Sequence, residues 1–198
     1  MAAKVASASV PSDPAAPKPE FKVTISDATL SDAAAISLVG TNTFTATFGH
    51  SAPQKDIANY LASAYSPAAI EAEILNAEKN RTSIFVARDD AGAVRGFVQF
   101  ARGVSDPNLP AAEAASHAEF CRLYVDTAAH GKGIGSKLIA AVEDAARAEG
   151  FKVVWLTVWE NHPNAHRLYQ RQGYVKVGEA EFVVGDCVQI DWVFAKNL

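Results

Sequence analysis

Sulfur and long apolar stretches are both scarce in this chain. Of its 198 residues only two are cysteine and one is methionine. Cys121 and Cys187 each sit in a short, strand-like apolar run, which predicts buried thiols of a reduced, cytoplasmic protein rather than a disulfide framework. No apolar run reaches the roughly 18 residues of a membrane-spanning helix, so no segment is expected to cross a bilayer. Positive charge is limited as well. A net charge of −4 and a sequence pI near 5.7 argue against nucleic acid or an anionic membrane as the principal partner. His50, His117, His162 and His166 stand at no metal-ligand spacing with Cys or carboxylate side chains, so no metal is assigned.

What is present suffices for one domain. Hydrophobic residues make up 49% of the chain, enough for a single core at this length. Met1–Glu20 is rich in Ala, Ser and Pro and lacks a signal-peptide-type apolar segment. It reads as a disordered tail, leaving 21–198 as the domain. Apolar periodicity and turn residues predict seven strands, at about 21–26, 83–89, 94–102, 117–126, 153–159, 174–183 and 188–195. Helices are predicted at about 32–45, 54–63, 67–80 and up to Glu149, with a short one opened by Pro163. Pro53 and Pro67 fit first-turn positions, and Asp90-Ala91-Gly92 marks a hairpin. By periodicity alone the fold class is α/β.

The strongest signal is His130-Gly131-Lys132-Gly133-Ile134-Gly135-Ser136, between an apolar strand and a helix. Glycines there leave backbone N–H groups uncovered at the positive end of the helix, a place suited to a phosphate. The dinucleotide fingerprint G-x-G-x-x-G is not met, because Gly131, Gly133 and Gly135 alternate. The Walker pattern also fails, because Ser136 precedes Lys137. A second block follows the next strand: Asn161-His162-Pro163-Asn164, then Leu168-Tyr169, then Gly173-Tyr174.

Together these blocks resemble the GNAT acetyltransferases, whose pyrophosphate loop and Asn-rich turn with a Leu-Tyr helix occur in this order. His130 stands where the family more often has Gln or Arg. From about Thr43 onward the chain resembles the PaiA-type spermidine/spermine N-acetyltransferases, through Thr43–Phe48, Tyr60–Tyr65, Val158-Trp159-Glu160 and Ala195–Leu198. The resemblance implies a mixed, mostly antiparallel sheet splayed around an acetyl-CoA cleft and flanked by helices. It also implies direct acetyl transfer to the primary amine of a small, polyamine-like molecule in a ternary complex.

Under that resemblance the loop residues His130 to Ser136, with Gly131, Lys132, Gly133, Ile134 and Gly135 between, hold the pyrophosphate. Asn161 and Asn164 bond the pantetheine amides, or one of them caps the helix. Leu123, Tyr124 and Val125 offer backbone N–H groups at a bulge on the preceding strand. Tyr169 is the candidate acid for the leaving thiolate, set against a reading as packing. Glu119 is the candidate base, set against a surface or salt-bridged Glu paired with Arg122 or Lys152. Strand alternation groups Glu119 with Cys121, Leu123 and Val125, and Phe120 with Arg122 and Tyr124. Phe44, Phe48, Tyr60 and Tyr65 are candidates for an acceptor channel, with Asp56, Glu119 or Glu160 facing distal ammonium groups. His166 reads as helix surface. Val183, Val193 and Phe194 are candidates for a homodimer interface and equally for the core. Two alternatives stay open: a protein N-terminal or lysine acetyltransferase, and a non-catalytic acyl-CoA-binding module.

Overall fold

The computed structural model describes residues 21–198; the tail expected over Met1–Glu20 lies outside the described residues. Runs of β-branched and aromatic residues form β1 (Val23–Asp27), β2 (Thr82–Asp89), β3 (Val94–Arg102), β4 (His117–Val125), β5 (Val153–Trp159), β6 (Val175–Val184) and β7 (Cys187–Asn197). They make one sheet in the order β1-β2-β3-β4-β5-β7-β6. Every neighbouring pair is antiparallel except β4 with β5, which are parallel. The helices are α1 (Ala33–Phe48), α2 (Gln54–Ala64), α3 (Pro67–Leu75), α4 (Ala77–Asn80), α5 (Ile134–Ala148) and α6 (Pro163–Arg171).

Local chemistry accounts for most element ends. The Ser66 hydroxyl accepts the Ala69 N–H, with Pro67 opening α3. The single helix expected over 67–80 breaks at Asn76, whose backbone N–H and side-chain amide both donate to the Ala72 carbonyl. Pro53 stands one position before α2 rather than inside its first turn. Between β2 and β3 the Asp89 carboxylate accepts N–H bonds from Ala91 and Ala93, closing the expected hairpin.

Two helical layers cover the sheet. On one face Val86 and Phe97 pack with Ile36, Phe44, Tyr65 and Ile70 of the α1–α3 region. On the other, Phe100, Phe120 and Leu156 pack against Leu138, Ile139 and Val142 of α5. The α5 stripe follows the 3.6-residue period, and each such side chain contributes about 1.5–3 kcal/mol on full burial. Of the two readings open for Val193 and Phe194, interface or core, the structure gives core: both are 0% exposed. Alternate residues of β7 meet packed layers on both sides, so neither face of that strand is free; Val183 on β6 is exposed. The two cysteines are free and half-buried rather than fully buried; Cys187 opens β7, and Cys121 stands in the middle of β4 beside the cleft.

The sheet splits at its centre. β4 and β5 pair only through His117–Val153, Ala118–Val154 and Glu119–Trp155. Just beyond, Cys121 faces Gln99 and Tyr124 faces Phe97, so Arg122 and Leu123 together oppose Val98. Arg122 takes a φ of +52° at this bulge. The bulge bends β4 away from β5 and reverses the facing of every later residue.

An ion pair ties the far side of the split together. Lys196 on β7 donates to both carboxylate oxygens of buried Glu143 on α5, each at 2.8 Å. Removing one partner strands the other in a poorly solvated place. Glu143→Ala is therefore expected to cost about 2–3 kcal/mol, within the range of hydrogen bonds to a charged group, lowering the melting temperature by roughly 5–10 °C. A thermal unfolding curve superimposable on that of the wild type would contradict this.

Candidate active site

The glycine loop has the backbone its sequence demands. Gly131 and Gly133 adopt φ of +75° and +76°, a region that costs other residues about 1–2 kcal/mol. A Cβ built on either meets nothing within 4 Å, so open space lies above both. Gly133 caps α5 with no side chain, and the first ladder bond runs from the Lys137 N–H to the Gly133 carbonyl. The N–H groups of Ile134, Gly135 and Ser136 therefore have no acceptor within the helix and point out at its positive end. A row of free donors under an uncovered cradle fits a pyrophosphate. Gly135 serves packing: its Cβ would lie 3.3 Å from Leu168 Cδ2, so glycine lets α6 approach α5.

From this loop a cleft of about 680 Å³ passes through the split in the sheet. Gly133, Ser136, Leu168 and Tyr169 line it on the α5–α6 face. Phe44, Phe48, Tyr60, Trp159, Phe182 and Asp191 line it on the α1–α2 face. Between them stand Cys121 to Val125 on β4 and Thr157 and Val158 on β5. Past Glu119 the β4 edge has no strand beside it on the β5 side, so its backbone groups there are open to a ligand.

The bulge corrects the expected facing of β4. Tyr124 shares the face of Cys121, packing edge-on to Tyr65 and Phe97, while Leu123 and Val125 join the α5-side core. Arg122 does not pair with Glu119. Its guanidinium donates to Glu73 and to Gln99 Oε1 at 2.7 Å, and reaches the Ala64 carbonyl at 3.4 Å. Glu119 is half-buried just below the split and is not part of the cleft wall. Burial pushes its carboxyl up to about 7, with Asp106 nearby adding to the rise.

The remaining candidates divide by position. Tyr169 is buried in the cleft wall against Phe120 and Phe194, and burial drives its hydroxyl well above the usual phenol range. His130 lines the cleft, with Nε2–H donating to the Val125 carbonyl at 2.9 Å, which clamps the loop to the end of β4. The Ser136 hydroxyl accepts from Gln172 Nε2. Lys132 lies outside the wall, its ammonium 4.1 Å from the Phe21 ring centroid. Asn164 lines the cleft and accepts from Arg167; Asn161 is exposed outside it. Neither asparagine caps α6, because the cap position falls to His162, which makes no side-chain capping bond. Tyr65 is buried behind the wall rather than in it.

Three features escaped the sequence. His166 is buried, stacked on Trp192 at 4.3 Å with Nε2–H donating to the Trp159 carbonyl, because the inward face of α6 runs His166–Tyr169. His162 lines the cleft, and burial lowers its pKa and keeps it neutral at pH 7. Asp191 is the carboxylate of the α1–α2 side, whereas Asp56 packs beneath the β6–β7 turn and Glu160 is exposed. Burial pushes Asp191 up to about 6, with Glu160 adding to the rise and Thr157 opposing it. The signal was one charged residue inside the apolar run Ile190–Phe194.

The raised Glu119 carboxyl has a measurable signature. Between its ordinary value of 4.5 and about 7 the folded chain keeps a proton that the unfolded chain releases, so this group's contribution to stability falls as pH rises. Glu119→Gln cannot ionise. Its melting temperature relative to wild type should therefore be higher at pH 8 than at pH 5. A difference independent of pH would contradict the assignment.

Comparison with known proteins agrees with this architecture. A family model described as the acetyltransferase (GNAT) family matches residues 51–174. An uncharacterized N-acetyltransferase from the pepI 3′ region of Lactobacillus delbrueckii subsp. lactis is 29% identical over 161 residues, covering 81% of this chain and 88% of that protein. The spermine/spermidine N(1)-acetyltransferase of Bacillus subtilis (strain 168) is 37% identical over 62 residues, which is 31% of this chain and 41% of that enzyme. Among solved structures, the PaiA N-acetyltransferase of Thermoplasma acidophilum in complex with coenzyme A superposes with a TM-score of 0.68 at 17% identity, covering 90% of this chain and all of that one. With the family model spanning more than half its length, including the glycine loop and α6, the chain belongs to the acetyltransferase (GNAT) family.

Proposed function

We propose that the cleft binds acetyl-CoA and that the enzyme transfers the acetyl group to the primary amine of a small, polyamine-like molecule. The observation that carries this reading is a single cleft with an anion cradle at one face of the sheet and an aromatic chamber at the other. Family membership supports acetyl transfer, and the partial likeness to the B. subtilis enzyme supports the polyamine character of the acceptor. A chamber walled by α1, α2, β5, β6 and β7 suits a slender molecule better than a folded protein.

When bound, acetyl-CoA supplies an acyl group activated as a thioester. The N–H groups from Gly131 to Ser136 hold its pyrophosphate, with Lys132 adding charge at the rim and Asn164 reaching the pantetheine arm. The open β4 edge at Leu123, Tyr124 and Val125 aligns that arm and offers N–H donors where negative charge develops. Tyr169 keeps its phenolic proton at neutral pH and holds it beside the cleft for the departing sulfur. Glu119 takes the amine proton through water, since it stands behind the cleft wall. Transfer is direct. Burial pushes the Cys121 thiol up to about 12, so the cleft offers no thiolate nucleophile for a covalent enzyme intermediate.

Two variants separate binding from chemistry. Gly133→Asp places a side chain and a negative charge in the cradle and should abolish acetyl-CoA binding measured by calorimetry; unchanged affinity would refute the loop's role. Tyr169→Phe should lower kcat by about 100-fold or more while leaving coenzyme A affinity nearly unchanged. Full turnover by this variant would remove Tyr169 as the acid.

A further inference from the structure

Asp191 is a carboxylate that the steps above do not use. It is 9% exposed and lines the chamber on the α1–α2 side. Among the described residues no Lys, Arg or His forms an ion pair with it. A guanidinium that also lines the cleft, that of Arg122, is committed to Glu73 and Gln99. An ionised carboxylate without a cation is costly inside a protein; Thr157 offsets part of the desolvation of Asp191, and a positive group arriving beside it offsets more.

The walls around it suit such a group. Phe44 and Tyr60 stack at 4.7 Å, Phe48 lies 5.6 Å from Trp159, and Phe182 meets Tyr60 edge-on at 5.8 Å. Aromatic faces attract a cation while packing against its alkyl chain. Asp191 pairs in register with Trp159, so it stands one strand beyond the β4–β5 gap. Neighbouring strands lie about 4.8 Å apart. A nitrogen reacting at the gap and a second one at Asp191 are thus separated by roughly one strand spacing plus side-chain reach.

Resting on the acetyl-transfer reading, we infer that Asp191 binds the second, non-reacting ammonium group of the acceptor and selects short alkyl diamines and their longer homologues over monoamines and amino acids. An acceptor that places a carboxylate at that position meets like charge. One that places a methyl group there leaves Asp191 unpaired. Both are disfavoured, which makes the chamber specific for a cation at each end of an apolar spacer.

The test compares three acceptors of matched length, 1,4-diaminobutane, butylamine and 4-aminobutanoate, with acetyl-CoA as donor. For the wild type, kcat/KM for the diamine should exceed that for either other amine by about 10–100-fold, the range of one hydrogen bond to a charged group. In Asp191→Asn the ratio of diamine to butylamine should collapse toward one, with the KM for acetyl-CoA unmoved. The wild-type comparison tests the inference even if the variant folds poorly. Equal turnover of diamine and butylamine by wild type, a preference for 4-aminobutanoate, or an equal loss on both amines in the variant overturns the role of Asp191 while leaving acetyl transfer in place. Failure to acetylate any amine, together with no acetyl-CoA binding by calorimetry, overturns the proposed function and this inference with it.

Discussion

The site exists because β4 parts from β5 after only three paired residues, and the parting depends on the backbone of Arg122. A left-handed conformation at a residue with a side chain costs about 1–2 kcal/mol. Each hydrogen bond from a charged group contributes about 1.5–3 kcal/mol, and the Arg122 guanidinium makes such bonds to Glu73 and Gln99. The side chain that suffers the strain thus also supplies the force that holds it. Because Glu73 lies on α3 and Ala64 ends α2, the same network anchors the helical layer over the chamber.

Splitting the sheet gives its two faces different chemistry. On the α5–α6 face the donors are backbone N–H groups, which suit an anion without a charged side chain having to be buried. On the α1–α2 face the walls are aromatic, Arg122 is neutralised by Glu73, and Asp191 is a carboxylate with no ion-pair partner among the described residues. Only the gap between β4 and β5 joins them. Both Glu119 and Asp191 carry carboxyls raised chiefly by burial, each on the side of the sheet where a cationic acceptor would sit. Tyr169, on the opposite face, stays protonated for the same physical reason.

Much of this was legible in the amino-acid sequence, and the gaps share causes. Gly131 and Gly133 could be read because alternating glycines before a helix have few explanations other than positive φ and an open cradle. Strand limits such as Val153–Trp159 followed from local composition. The facing of Tyr124 did not, because alternation assumes a regular strand and a bulge leaves no mark at Arg122 itself. For Val193 and Phe194 interface and core stay equally open in the sequence, because exposure depends on which layers cover a strand, which no local pattern encodes. His166 was misplaced for the mirror reason, as a polar residue on the inward face of a short helix. Asp191 went unnoticed because its importance comes from Thr157, Trp159 and Tyr60, which only the fold brings beside it.

In the proposed function one cleft carries acetyl-CoA from the glycine loop through the sheet to the aromatic chamber. A crystal structure of the protein grown with acetyl-CoA tests this most directly. Density is expected for the pyrophosphate on the N–H groups between Gly131 and Ser136, and for the thioester between Leu123 and Thr157, with the acetyl group directed toward Asp191. Density for the cofactor elsewhere on the molecule, or a gap between β4 and β5 closed by strand pairing, would contradict it.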